Sequence, residues 1–288
     1  MSQSLSIGAA HYQELLKDSL GKELKALKNQ GLDVRMEESP VGNLTFLACS
    51  VSGSDQLEDQ LEPLFKHQIA GVIADLITGK WKDKLLKDII RNNYYFLDQE
   101  EKVTIYDYAQ KKLNHNESSK EKNRLWILRR LTEYLNFNSN LVIDGFIRFR
   151  LKEYVSDLYD VADQAVDDFL SEREYQEFIQ LLRYFVDVQE PRVELVNVVL
   201  RPGGIFQLYD EFNQVINSDY LKDFMVELAE SEINYEDLLI SALITIAPKK
   251  ITVHMGNGDF PASTLETICQ VFAERVTKCQ GCSLCRQQ

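Results

Sequence analysis

The longest pattern in this 288-residue chain is a nearly uninterrupted helical periodicity from Ser54 to about Gln189. Apolar residues recur there every three or four positions, a spacing that places them on one face of a helix. Two apolar stripes run from Leu57 to Leu76 and from Trp81 to Ile90, and a third follows Ser118 and Glu121, which have capping-box spacing. The sequence therefore predicts a centre made of several amphipathic helices.

A long final segment completes this helical centre. Asn138 or Ser139 is placed to cap it, and its apolar stripe runs from Ile147 to Phe169. The stripe loses register at Ser171–Glu174, which predicts either a kink or a new helix at that point. Pro191 is expected to end the helical part.

The two ends of the chain have strand patterns instead. Near the N-terminus the pattern predicts a strand, a helix and two more strands, at Leu5–Ile7, Leu16–Leu27, Val34–Met36 and Leu44–Cys49. Near the C-terminus it predicts a hairpin, two helices, a strand and a last helix, at 193–209, 220–228, 235–246, 250–254 and 261–277. Each end thus forms a small α/β module.

These elements predict an α+β fold with a predominantly helical centre flanked by small α/β modules. The expected division is an N-terminal module over 1–53, a helical region over 54–190, a C-terminal module over 191–278 and a Cys-rich tail over 279–288. The strands of the two end modules either join one mixed sheet or form separate sheets, and the pattern leaves both arrangements open.

The Cys-rich tail has the clearest chemical pattern in the chain. Cys279, Cys282 and Cys285 follow one another with two-residue gaps, a spacing that lets their thiolates converge on one centre. We therefore predict these three cysteines as candidate metal ligands. The competing interpretation is a frayed tail with incidental thiols, because chain termini are commonly disordered.

Two cofactors fit this cluster. The spacing begins an iron–sulfur pattern of the ferredoxin type but lacks its fourth cysteine and trailing proline. A zinc ion needs a fourth ligand, which either Cys49 or His254 supplies if the fold brings it close. Cys269 lies ten residues before Cys279 on the predicted last helix, roughly 15 Å away if that helix is continuous.

The balance of charge argues against general binding to anionic partners. The chain has 32 Lys and Arg against 45 Asp and Glu, a net charge of −13. The segment Lys80–Arg130 differs, because it has 13 basic and 8 acidic residues interleaved with Trp and Tyr side chains. That composition is typical of a nucleic-acid surface, so a nucleic-acid-binding module is kept as an alternative.

No catalytic or cofactor-binding residues are predicted, because no nucleophile, general base and electrophile can be named together. The first ten residues lack the pattern of a signal peptide, and no apolar run approaches the roughly 18 residues of a membrane span. We therefore expect a cytoplasmic protein without a membrane span.

Three segments carry a resemblance to a known family: Asn140–Tyr154, Ala165–Phe178 and Leu181–Arg192. They resemble the YtxC-like family of sporulation proteins from endospore-forming bacteria, and the likeness continues through Val193–Phe206. The resemblance implies a cytoplasmic protein linked to sporulation, and it supplies no active-site residues. The leading hypothesis is a sporulation protein that acts through contacts with a protein partner, and the alternatives are the metal or redox protein and the nucleic-acid-binding module.

Overall fold

The computed structural model describes residues 3–29, 32–52, 58–114, 117–201, 205–216, 235–255 and 260–286. The chain divides into two compact units, Met1–Leu170 and Ser171–Gln288. Both contain helices and a four-stranded sheet, so the α+β class is confirmed. The N- and C-terminal strands lie in separate sheets, which answers the question that the sequence left open. The expected four-part division stays a prediction.

The sheet of the first unit contains β1 (Gln3–Ala9), β2 (Asp33–Val41), β3 (Leu44–Ser52) and β4 (Asn140–Val142). Its order is β2-β3-β1-β4, with β1 antiparallel to β3 and parallel to β4. Alternation places Leu5, Ile7 and Ala9 on one buried face. Gly42 joins β2 to β3 at φ +59, a conformation that glycine adopts without strain.

Helices form the rest of the first core. They are α1 (Gln13–Asn29), α2 (Glu58–Leu76), a π-helical turn (Ile77–Trp81), α3 (Lys82–Asn93), α4 (Gln99–Asn114), α5 (Glu117–Phe137), α6 (Ile143–Arg150) and α7 (Lys152–Val188). Much of the predicted apolar stripes is buried, since residues such as Leu16, Ile73 and Leu131 are fully enclosed with the sheet residues in one hydrophobic core. Leu64 and Leu125, which lie on two of these stripes, are exposed instead.

Two details of the helical centre differ from the prediction. The backbone after Ser139 forms the strand β4, since the N–H of Ser6 donates to the carbonyl of Ser139 and draws the chain to β1. A three-residue strand is too short to produce a visible period, so the predicted cap and single long helix at this point are wrong. Of the two alternatives at Ser171, a new helix is wrong, because α7 continues through that residue, and a kink stays a prediction.

The sheet of the second unit contains β5 (Val193–Arg201), β6 (Ile205–Tyr209), β7 (Pro248–His254) and β8 (Val276–Lys278). Its order is β6-β5-β7-β8, with β5 antiparallel to β6 and parallel to β7, and with β7 parallel to β8. The predicted hairpin is confirmed. The helices are the end of α7, α8 (Tyr235–Ile246), α9 (Ala262–Phe272) and α10 (Ser283–Arg286), while the predicted helix at 220–228 lies outside the described residues.

The end of α9 corrects the prediction of a last helix reaching Thr277. That helix stops at Phe272, because Ala273 adopts φ +45 and ψ −116, and a 3-10 turn, Ala273–Arg275, leads into β8. Arg275 holds the turn by donating to the carbonyls of Val186 and Pro248. The chain therefore leaves the helix and enters the sheet just before the cysteines. Within the described ranges, none of the helices is long and apolar enough to cross a membrane.

The strand β4 provides a test of the first sheet. Leu141 is 1% exposed, so Leu141→Ala should lower the free energy of unfolding of the first unit by about 2–5 kcal/mol through lost burial and an unfilled cavity. Leu125, which is 53% exposed on α5, is the matched control, and Leu125→Ala should change stability by no more than about 0.5 kcal/mol. Both tryptophans, Trp81 and Trp126, lie in this unit, so urea denaturation followed by tryptophan fluorescence reports on it. Equal effects of the two substitutions would contradict the placement of β4.

Candidate metal centre

The two parallel strands β7 and β8 bring the first cysteine of the tail beside a histidine. His254 is the last residue of β7, and Cys279 directly follows β8. Val253 pairs with Lys278, and the N–H of Cys279 donates to the carbonyl of Val253 at 2.9 Å. A backbone hydrogen bond thus fixes the start of the tail next to the end of β7.

The other two cysteines approach through a turn and a short helix. Gly281 adopts φ +123, a conformation that side-chain-bearing residues rarely adopt, and it turns the chain into α10. Cys282 immediately precedes α10 and Cys285 lies within it. Residues three apart in a helical turn lie on the same side, so both thiols point toward His254.

The four ligand atoms form a compact group. The Nδ1 atom of His254 lies 3.3 Å from Sγ of Cys282 and 3.4 Å from Sγ of Cys285. The Sγ atom of Cys285 lies 3.9 Å from that of Cys282 and 3.7 Å from that of Cys279. All four atoms are within 4.8 Å of one another.

These distances match the edges of a tetrahedron around a single ion. With zinc–sulfur bonds of about 2.3 Å and a zinc–nitrogen bond of about 2.0–2.1 Å, tetrahedral geometry gives sulfur–sulfur edges of about 3.8 Å and sulfur–nitrogen edges of about 3.6 Å. Four of the six edges are close to these values, with sulfur–sulfur separations of 3.7 and 3.9 Å and sulfur–nitrogen separations of 3.3 and 3.4 Å. The other two, from Cys279 to Cys282 and to His254, are within 4.8 Å. Three thiolates and one imidazole are also a common donor set for zinc. The residues present therefore fit one tetrahedral ion.

The surroundings of His254 suit a neutral ligand. Its side chain is buried, and this burial lowers its pKa below the ordinary value. A neutral imidazole has one nitrogen free to bind a metal ion. The second ring nitrogen, Nε2, lies 3.1 Å from Oδ1 of Asn197, a buried side chain on β5.

The surroundings of Cys279 and Cys282 shift the pKa values of their thiols in opposite directions. Burial would raise the pKa of Cys282, but hydrogen bonds from the backbone N–H groups of Cys285 and Leu284 and from the thiols of Cys279 and Cys285 together outweigh it, so the pKa of Cys282 is lowered. The N–H of Gly281 lowers the pKa of Cys279, but burial and the two neighbouring thiols together raise it above the ordinary value. Cys282, just before α10, thus ionises more easily than Cys279.

The remaining cysteines have other environments. Cys49 lies on β3 inside the first core, where burial raises its pKa to about 12, as expected for an inert structural thiol. Cys269 is half-buried on α9 against the second core. Of the two residues that the sequence offered as a fourth ligand, the structure places His254 beside the cluster, while Cys49 belongs to the first unit.

The basic segment Lys80–Arg130 makes many internal contacts. Among its described residues, six pair with carboxylates: Lys82 with Asp83, Lys84 and Arg91 with Asp88, Lys112 with Asp168, Arg124 with Asp75, and Arg129 with Glu133. Three more lie over aromatic rings, namely Lys87 over Tyr106, Lys111 over Tyr108 and Arg130 over Trp126. The ion pairs balance part of the local positive charge, and nucleic-acid binding stays a prediction.

The turn before β8 provides a test of how the cysteine tail reaches the sheet. The positive φ and strongly negative ψ of Ala273 are tolerated best by glycine, so Ala273→Gly should stabilise the turn by about 1 kcal/mol. Hydrogen exchange of the Val276–Lys278 amides should then slow. Ala262→Gly, an exposed control in the first turn of α9, should not slow it. Faster exchange in Ala273→Gly would contradict the observed break after Phe272.

Comparison with known proteins identifies the family. Residues 67–277 match the model of the YtxC-like family. The chain is 30% identical over 202 residues to the "Uncharacterized protein YtxC" of Bacillus subtilis (strain 168), an alignment that covers 68% of this chain and 70% of the relative. No solved structure matches this chain. The family match includes His254 and ends two residues before Cys279, so it covers one of the four candidate ligands. The chain belongs to the YtxC-like family.

Proposed function

We propose that this protein binds one zinc ion through Cys279, Cys282, Cys285 and His254. The observation that carries the proposal is the convergence of these four donor atoms within 4.8 Å, contributed by the end of β7 and by the tail after β8. The negative charge of the three thiolates would exceed the positive charge of the ion, and the neutral imidazole would complete its coordination.

Zinc is favoured over an iron–sulfur cluster by the spacing of the sulfurs. In a four-iron cluster each cysteine binds a different iron atom, so the cluster itself separates the ligating sulfurs. Sulfur atoms 3.7 and 3.9 Å apart leave room for one ion between them. The donor set of three soft thiolates and one imidazole also suits zinc better than magnesium or calcium, which prefer oxygen ligands.

The coordination supports a structural role for the ion. Four protein ligands fill a tetrahedral shell, whereas catalytic zinc sites use three and leave a position for water or substrate. The elements that the ion would join are short, since β8 has three residues and α10 has four. Helices this short are not stable alone, so the ion would hold the tail to the sheet.

Zinc content tests this proposal directly. Protein purified anaerobically should contain about one zinc ion per chain, and Cys282→Ser should bind zinc much more weakly because a neutral hydroxyl replaces a thiolate ligand. The measurement is elemental analysis combined with competition by a chromophoric chelator. Cys269→Ser is the matched control and should retain the ion, because Cys269 lies on α9 away from the four ligands.

Two results would refute zinc binding. One is a metal-free wild-type protein that also fails to take up added zinc. The other is a coloured preparation that contains iron and inorganic sulfide, which would replace the single ion by a cluster. Cobalt substitution adds a further check, because a tetrahedral thiolate-bound cobalt ion absorbs intensely in the visible range.

We also propose that the protein acts in sporulation, in the cytoplasm and through contacts with a protein partner. Its membership of the YtxC-like family supports this role, through the link to sporulation that the resemblance implies. The chemistry of the site supports a structural rather than a catalytic use of the metal. Such a use suits a protein that acts through contacts with a protein partner.

Deletion of the gene in its host tests the sporulation role. The deletion strain should form fewer heat-resistant spores, while growth in rich medium should remain normal. Complementation with the wild-type gene is the control for effects on neighbouring genes. Unchanged spore yield and heat resistance would contradict the role in sporulation and would leave the zinc site to be judged by metal content alone.

A further inference from the structure

A buried asparagine lies between the proposed metal ligand His254 and the neighbouring strand β6. Asn197 is in the middle of β5 and is 6% exposed. Its Nδ2 lies 3.0 Å from the carbonyl oxygen of Asp210, and its Oδ1 lies 3.1 Å from Nε2 of His254. The amide therefore bridges the residue after β6 and the last residue of β7.

The hydrogen-bond partners determine which way this amide faces. A backbone carbonyl can only accept, so the atom of Asn197 beside Asp210 must be the Nδ2 donor. The reverse orientation would set two acceptor oxygens, Oδ1 of Asn197 and the carbonyl oxygen of Asp210, against each other and lose this hydrogen bond. The Oδ1 atom therefore faces His254.

The same logic places the proton on the histidine ring. Because Oδ1 of Asn197 can only accept, the neutral His254 must hold its proton on Nε2 and donate it to Asn197. Its other nitrogen, Nδ1, then has a free lone pair, and this is the atom that lies beside the sulfurs of Cys282 and Cys285. The ring is thus already in the tautomer and orientation that a metal ion requires.

We propose that Asn197 is the positioning residue that fixes His254 as an Nδ1 ligand of the metal ion. This inference rests on the proposed zinc site and identifies the residue that controls its affinity. Metal-bound histidines generally donate their second N–H group to a protein acceptor, and loss of that acceptor typically weakens metal binding 10–100-fold.

The turn after β6 holds Asn197 in place. The Asp210 carboxylate accepts hydrogen bonds from the N–H groups of Phe212 and Gln214 at 2.9 and 2.8 Å, and Asn213 adopts φ +59 within the same turn. The Asp210 carbonyl, which accepts from Asn197, is therefore part of a well-connected turn. A chain of contacts from Asp210 through Asn197 to His254 crosses three strands of the second sheet.

Two substitutions separate orientation of the histidine from general stability. Asn197→Leu has a similar size but offers no acceptor, so zinc affinity measured by chelator competition should fall about 10–100-fold. Asn197→Asp retains an acceptor for the Nε2–H group, although it loses the donor to Asp210. Zinc affinity of Asn197→Asp should therefore stay closer to that of wild type than the affinity of Asn197→Leu does.

Nitrogen-15 NMR of the imidazole groups provides a readout that a merely structural role would not change. At mildly alkaline pH, metal-free wild-type protein and Asn197→Asp should hold the His254 proton on Nε2, and zinc should shift the Nδ1 signal. Asn197→Leu should lose this preference for one tautomer. His11, which lies in the first unit, is the internal reference and should be unaffected.

The possible outcomes are distinct. A wild-type His254 with its proton on Nδ1, or an Asn197→Leu variant with unchanged zinc affinity, would overturn the assignment of Asn197. If Asn197→Leu does not fold, the wild-type tautomer and the affinity of Asn197→Asp decide the question. A protein that binds no zinc but holds the proton on Nε2 would refute the proposed function while supporting the orientation of His254 by Asn197.

Discussion

The parallel pairing of β8 with β7 is the contact on which the candidate metal centre depends. The hydrogen bond from Cys279 to the carbonyl of Val253 places the first thiol next to His254, and the turn at Gly281 then returns the other two thiols to the same point. Because β8 has three residues and lies at the edge of the sheet, its few ladder bonds hold it weakly. Arg275 reinforces the pairing, since its bonds to the carbonyls of Val186 and Pro248 fix the turn from which β8 starts.

Sequence reasoning could identify three of the four ligands and could only narrow the choice of the last. The two-residue gaps between Cys279, Cys282 and Cys285 are local, so their convergence follows from chain geometry. The partnership of Cys279 with His254 depends on strand pairing between residues about 25 apart, which no local period encodes. The decisive feature is the positive φ of Ala273, which ends α9 early. Glycine at this position would have signalled the turn, whereas alanine favours continuation of the helix.

The fold was predictable where one apolar face repeats over several turns. The stripes of α2, α3 and α5 are long enough to give a clear period, and so is the alternation in β1 and β3. The strand β4 escaped because three residues cannot show a period, and its pairing is determined by the contact between Ser6 and Ser139. At β4 the sequence pattern missed an element, whereas at Ser171 it offered, as one of two alternatives, a new helix that the structure does not have. The helix α7 continues there because a helix retains its backbone hydrogen bonds even where its apolar stripe changes face.

The proposed zinc site combines a rigid half with a half that has little stability of its own. His254 is held in the sheet by β7 and by Asn197, so binding a metal ion would require little change there. The eight residues from Cys279 to Arg286 include one short helix, α10. Ordering their backbone costs about 1–2 kcal/mol per residue, or roughly 8–16 kcal/mol in total. In peptides that fold only with their metal, structural zinc sites have apparent binding free energies of about 10–16 kcal/mol, values that already include the cost of ordering the peptide. A single ion would therefore be sufficient to hold the tail against the sheet, and the preset imidazole would ensure that little of this free energy is lost in orienting the fourth ligand.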